Sequence, residues 1–180
     1  VFTVCGLTAL AFVIVITVFL LVSGIPAIRE IGAVKFLLGK IWKPTAAEAQ
    51  YGILPFILSS VAGTIGAVII GVPIGLMCAI YISKFAPPKF GAAVRTAVEL
   101  LSGIPSVVYG LVGMIIIVPA VRKAFSLPDG ANLFSAILVL AVMILPSVIS
   151  VSETAIKAVP KEYEEGSLAL GATKTETVFK

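Results

Sequence analysis

The sequence contains no histidine, which removes the commonest acid–base group and metal ligand from any chemistry the chain could perform. Cysteine occurs twice, at Cys5 and Cys78, each inside an apolar stretch where a thiol behaves as a small hydrophobe. No disulfide framework follows, and the redox compartment stays open. Charge is scarce: Asp, Glu, Lys and Arg make up 12% of residues, against about a quarter in soluble domains. No cluster of Cys, Asp and Glu has metal-ligand spacing, so neither a metal nor a cofactor held by this chain is expected. The 13 basic residues are scattered over four connecting segments rather than gathered on one face, which argues against nucleic acid as a partner.

What is abundant is uninterrupted apolar sequence. Val1 to Ile28, Ala49 to Ser83, Leu100 to Val121 and Gly130 to Ser152 contain no charge at all. A helix rises about 1.5 Å per residue, so roughly 20 apolar residues cross the ~30 Å hydrocarbon core of a bilayer. The stretches are apolar on all faces, whereas barrel strands alternate, so the chain is expected to be an all-α, polytopic membrane helix bundle of about four spans. The second stretch is expected to be one tilted or kinked span, with an interfacial lead-in at Tyr51 to Pro55 and a kink at Pro73. Three further spans follow the first and no basic region precedes it, so it reads as a retained span rather than a signal peptide. Spans bounded in this way hold no charge for a proton relay or a catalytic carboxylate, which disfavours an intramembrane enzyme and a proton-driven pump.

With four spans, the segment Lys84 to Glu99 shares a side with the tail from Glu153. Seven Lys and Arg fall on that side against six on the other, a slight bias toward a cytoplasmic tail. On the opposite side, Ile28, Ile31, Val34 and Leu38 recur at helical spacing with Trp42 as an interface anchor, which predicts a helix resting on the membrane surface. Span two carries small residues at every fourth position: Ser59, Gly63, Ala67, Gly71, Gly75, Ala79 and Ser83. Lipid is as apolar as leucine, so membrane helices associate through close backbone approach, and such a ladder predicts a central packed helix. Its drift of about 40° per step predicts different partners at its two ends. Spans three and four add polar stripes. Ser102, Ser106 and Tyr109 follow Glu99 on one, and Ser147, Ser150 and Thr154 lie on the other, each stripe beside a proline, Pro105 or Pro146. Each hydroxyl can satisfy itself on a helix carbonyl, yet two stripes together point to a polar seam.

The tail has its own local logic. Pro160 suits a first helical turn, and Glu162, Glu164 and Glu165 suit the positive end of that helix. Gly171 can end it in a left-handed conformation, and Thr173 with Glu176 has capping-box spacing for a second helix. Gly166, Gly171 and Lys174-Thr175 imitate a phosphate-binding loop, but Ala172 stands where lysine is required, so ATP is not bound that way. Helix, sharp turn and helix are expected at the membrane surface, as a solvated amphipathic tail or as a helix seated in a partner's groove.

Here the residues resemble a family. The run EGSLALG, Glu165 to Gly171, is similar to the Glu-Ala-Ala, three residues, Gly signature of permease subunits of bacterial and archaeal ABC importers (binding-protein-dependent, MetI-like), with Gly166 and Ser167 where two alanines are usual. WKP at Trp42 to Pro44, YGILPFI at Tyr51 to Ile57, GVPIGLMCAIYISKFAP at Gly71 to Pro87, GIPSVVYGL at Gly103 to Leu111 and ILPSVISVSETAIKAVP at Ile144 to Pro160 resemble the phosphate-importer permease of PstC type. Lys84 stands where these permeases often have an acidic residue.

The resemblance implies an accessory transmembrane helix and extracytoplasmic loop over 1–50, and an ABC importer transmembrane domain over 51–180. That domain would hold the first three helices of a five-helix core and a cytoplasmic coupling helix, with further core helices downstream. Tyr163, Glu165, Gly166, Ala169 and Gly171 would couple to the ATPase, and Ser102, Ser106, Tyr109, Ser147 and Ser150 would line the translocation path. Implied partners are a PstA-like second permease, two ATP-binding subunits that carry the ATP and Mg, an extracytoplasmic phosphate-binding protein and the bilayer of the cell membrane. A passive channel, or an importer of another small solute, is the alternative.

Overall fold

The computed structural model describes residues 2–179, and the chain divides into two compact units, Val1–Ser60 and Val61–Lys180. In the first unit α1, Phe2–Ile31, is a single helix that continues through Pro26 and has no buried residue. Gly32 breaks it at φ 88°, a conformation that favours glycine, and α2 follows at Ala33–Leu38. The continuous surface helix expected from Ile28 to Leu38 is therefore not formed: Ile28 and Ile31 belong to α1, while Val34 and Leu38 are exposed on α2. A hairpin takes its place. Strand β1, Trp42–Lys43, pairs antiparallel with β2, Gln50–Tyr51, and the Trp42 ring meets Tyr51 and Phe56 edge-on at 5.9 and 5.6 Å. Gly39 and Gly52 make the hairpin possible, since a Cβ on Gly39 would lie 2.7 Å from the Gly52 Cα.

The second span is one continuous helix, α3, Leu54–Ile80, extended by a π-helical turn at Tyr81–Phe85. Helix continues through Pro73, which has no N–H to give the Ile69 carbonyl, and the hydrogen-bond register changes to π at Tyr81–Phe85. Helix α4 follows at Pro88–Ser102, then α5 at Ser106–Val112, a π turn at Gly113–Ile117 and α6 at Val118–Ala124. The third span is thus Ser106–Ala124 rather than Leu100 to Val121. Pro105 caps α5 from outside instead of kinking a longer helix, because proline restricts Ile104 before it to extended backbone. Helix α7, Leu133–Ala158, starts on Asn132, whose side chain accepts the Ser135 N–H at 3.0 Å, and Ser135 Oγ donates to the Gly130 carbonyl at 2.6 Å. Helices α8, Lys161–Ala169, and α9, Lys174–Phe179, complete the chain. Among the described residues, four helices are long and apolar enough to cross a membrane. The all-α membrane bundle expected from composition is what is found.

Within the second unit, α3 packs along α7 through its small residues. The buried residues of α3 are Gly63, Ala67, Gly71, Gly75 and Ala79, four apart throughout. A Cβ on Gly71 would lie 2.7 Å from Ile144 side-chain carbons, and one on Gly75 would lie 2.7 Å from Val148 Cγ1. Gly63 faces Leu133 and Leu140, and Gly66 faces Ile137. The glycines from 63 to 75 therefore meet α7, while Ala79 toward the other end of the ladder joins a cluster that includes Val98 of α4. Residues 133, 137, 141, 144 and 148 of α7 advance by nearly the same step, so the two inclined rows interlock and the drift is absorbed by the crossing of the helices. Beyond it, Ala79 and Ile82 join Val98 of α4 and Ile149 of α7 in a small apolar core. Ser59 stands apart, exposed, with its hydroxyl donating to the Phe56 carbonyl.

Candidate functional site

Two sites emerge from this frame: a cluster of hydroxyls between α4, α5 and α7, and the helix–turn–helix after α7. In the first, the end of α4 and the start of α5 are separate elements, so Glu99 and Ser102 do not share a helical stripe with Ser106 and Tyr109. The turn brings them together by another route. The Tyr109 hydroxyl donates back to the Leu101 carbonyl at 2.8 Å, and a cavity of about 140 Å³ is lined by Ser102, Ser106, Tyr109 and Ser147 with Met143 and Pro146. Four of the five hydroxyls expected in a polar path meet there. Ser150 lies outside it, exposed on α7, and the Ser102 hydroxyl donates to the Glu99 carbonyl at 2.8 Å.

The second site is built by local rules. Pro160 precedes α8, and Glu162 and Glu164 occupy its first turn. At the other end Gly171 takes φ 92°, its N–H bonds the Leu168 carbonyl at 3.0 Å and the Ala172 N–H bonds the Ser167 carbonyl at 3.3 Å, the pair of bonds of a Schellman motif. Thr173 and Glu176 then cap α9 reciprocally: the Thr173 N–H reaches Glu176 Oε2 at 3.0 Å and the Glu176 N–H reaches Thr173 Oγ1 at 3.3 Å. Ser167 and Thr177 hydroxyls, 3.0 Å apart, tie the two helices together. Tyr163, Glu165, Gly166, Ala169 and Gly171 all face outward, with Tyr163 73% and Leu170 91% exposed. A Cβ on Gly166 would meet nothing within 4 Å, so this side of α8 is open.

A model of the binding-protein-dependent transport system inner membrane component family matches residues 71–180, more than half of the chain. The chain belongs to this family. It is 39% identical to the probable ABC transporter permease protein YqgH of Bacillus subtilis over 99% of its own length and 58% of that protein's. It is 32% identical to the phosphate transport system permease protein PstC of Haemophilus influenzae, covering 91% of this chain and 57% of that one. To PstC 2 of Mycobacterium tuberculosis it is 28% identical, covering 96% of this chain and 59% of the relative. The chain thus spans somewhat over half the length of these relatives. No solved structure matches it significantly.

In this member of the family, ion pairs tie the helix–turn–helix and the end of α7 to neighbouring elements. Lys84, in the π turn that ends the second span, reaches Glu164 of α8 at 2.5 Å. That hydrogen bond, ahead of the smaller opposing effect of desolvation, holds the Glu164 carboxyl below the usual carboxylate range. Glu153, 8% exposed near the end of α7, accepts from Arg95 of α4 and from Lys157 at 2.6 Å. The hydrogen bond from Arg95 to this carboxylate pushes the Arg95 guanidinium pKa further up. The spans were expected to hold no charge, but α7 runs on to Ala158 and carries Glu153 within it, neutralised by two cations. The sequence assigns no role to Lys84, Arg95 and Glu153, and gives Glu164 only that of an acidic residue at a helix start. The available signal was their placement: basic Lys84 to Arg95 and acidic Glu153 to Glu164 fall on segments expected on one side of the bilayer.

Proposed function

We propose that this chain is part of the transmembrane permease of an ATP-driven importer that moves inorganic phosphate into the cytoplasm by alternating access. Helix α8 and the Gly171 turn act as the coupling element that docks into a cytoplasmic ATPase subunit. The observation that carries this reading is the outward face of α8, bounded by a Schellman turn at Gly171 and anchored from behind by Lys84–Glu164. A surface helix with an open outer face and a fixed inner face is built to receive a push and deliver it to α3 and α7. The hydroxyl cavity of Ser102, Ser106, Tyr109 and Ser147 is the candidate path: neutral donors hold an oxyanion weakly enough to release it, and no arginine lines the cavity.

The rest of the assembly follows from the same reading. A PstA-like second permease, two ATP-binding subunits carrying ATP and Mg, and an extracytoplasmic phosphate-binding protein complete the importer, and α1 is an accessory span. Phosphate as the solute is supported by the relatives named PstC. YqgH, whose name specifies no solute, keeps another small oxyanion as the second reading. The test is uptake of labelled phosphate by the full-length permease in cells lacking their own system. Gly171→Val forces a β-branched residue to φ near 92°, a strain of about 1–3 kcal/mol, and should abolish uptake while the complex still assembles. Unchanged uptake would overturn the coupling role.

A further inference from the structure

Two cavities meet where α8 and α9 pack beside the ends of α3 and α7. One, of about 260 Å³, is lined by Ser83, Lys84, Lys157, Lys161, Lys174 and Glu164. The other, of about 250 Å³, is lined mostly by apolar Leu76, Ile80, Ile156, Val159 and Val178, together with Tyr163 and Thr177. Lys84, Ile156, Val159 and Glu164 belong to both, so a basic chamber opens into an apolar groove.

The charges in the chamber do not balance internally. Glu164 pairs with Lys84 and also feels the charges of Lys174 and Lys161, while Lys157 pairs with Glu153, so one carboxylate in the chamber faces several ammonium groups. Lys161 and Lys174 form no salt bridge among the described residues, although Lys174 lies over the Phe85 ring at 5.5 Å. Lys161 is also the first residue of α8, which puts the positive end of that helix at the rim. The Ser83 hydroxyl is buried with no hydrogen-bond partner among the described residues. Two ammonium groups without a salt bridge of their own, a helix end and an unsatisfied hydroxyl together suit an oxyanion, and the adjoining groove suits hydrocarbon. A molecule that satisfies both at the end of a membrane span is a phospholipid with net negative charge.

We propose that this paired cavity binds one anionic phospholipid, with its headgroup phosphate on Lys161, Lys174 and Ser83 and an acyl chain against Leu76, Ile80 and Val178. The lipid would brace α8 against the ends of α3 and α7, and this assignment does not depend on which solute the permease carries. The test is native mass spectrometry of the purified full-length permease titrated with phosphatidylglycerol or phosphatidylcholine. One phosphatidylglycerol should be retained and phosphatidylcholine should not. Lys161→Gln with Lys174→Gln should weaken retention about thirtyfold, and the corresponding double arginine variant should keep it. Ile80→Trp, which fills the groove and keeps every charge, should also lose the lipid. Equal retention of the two lipids, or full retention by the double glutamine variant, would overturn the proposal. Displacement of the lipid by millimolar inorganic phosphate would overturn it too, by assigning the chamber to the free anion.

Discussion

A single methyl group at Gly75 tests whether backbone approach between α3 and α7 holds the bundle together. An ideal Cβ there lies 2.7 Å from Val148 Cγ1 and 3.0 Å from Val148 Cβ. Non-bonded carbons rest at about 3.5–4.0 Å, so Gly75→Ala is short of room by about 1 Å. Valine has one strongly preferred rotamer in a helix, so Val148 cannot swing aside and the helices must separate. Overpacking of this kind costs about 1–3 kcal/mol, and the gain in helix propensity returns about 0.5–1 kcal/mol. The expected net loss is about 1–2 kcal/mol. Val148→Ala removes the clashing atoms, so the double variant should recover most of that loss, a coupling of about 1–2 kcal/mol in a double-mutant cycle. Gly110→Ala is the control, since a Cβ there meets nothing within 4 Å. Reversible unfolding of the full-length protein in mixed micelles would measure all five: the parent, the two single variants, the double variant and the control. A Gly75→Ala protein as stable as the parent, or one that Val148→Ala does not rescue, would refute close approach as the source of stability.

Other consequences follow from the charged and capped residues. Glu164 titrates below its ordinary value of 4.5 because Lys84 binds its ionised form, so the tie is intact above that pH and is lost as pH falls through the lowered pKa. Hydrogen-exchange protection in α8, measured against the intrinsic exchange rate at each pH, should therefore fall on acidification, and Glu164→Gln should remove that dependence; a protection profile unchanged with pH would contradict the tie. Lys84→Glu should loosen α8 in the same assay, and adding Glu164→Lys should restore it. Thr173→Ala removes the cap acceptor for the Glu176 N–H, costs about 1 kcal/mol, and should speed exchange in α9 but not in α7. Tyr109→Phe deletes the 2.8 Å bond to the Leu101 carbonyl, a loss of about 1 kcal/mol, and should loosen the α4–α5 turn as read by cysteine accessibility at Ser102.

The features legible in the sequence were those set by local or one-dimensional physics. Apolar run length defined four spans because a bilayer has a fixed thickness, and Gly171 with Thr173 and Glu176 announced a turn and a cap within a few residues. The buried positions of α3 sit at the small residues because only glycine and alanine let a neighbouring backbone approach. What escaped depends on contacts distant in sequence. The apolar run through Leu100 looks continuous whether or not the chain turns at Gly103 to Pro105, and Pro105 alone hinted at the break. The Trp42–Tyr51 hairpin rests on the Gly39–Gly52 approach and has too few residues for alternation to register. The π turns are changes of hydrogen-bond register that no residue type announces. The pairing of Lys84 with Glu164, and of Arg95 with Glu153, requires the fold that sets them face to face.

Sidedness of α8 decides the account most directly. A single cysteine at Tyr163, in a full-length permease whose Cys5 and Cys78 have been replaced by alanine, should resist a membrane-impermeant maleimide on intact cells and react once the cells are opened. In the assembled complex the same cysteine should cross-link to an ATPase subunit. Full labelling of Tyr163→Cys from outside intact cells would place α8 beyond reach of any cytoplasmic ATPase and contradict the coupling role.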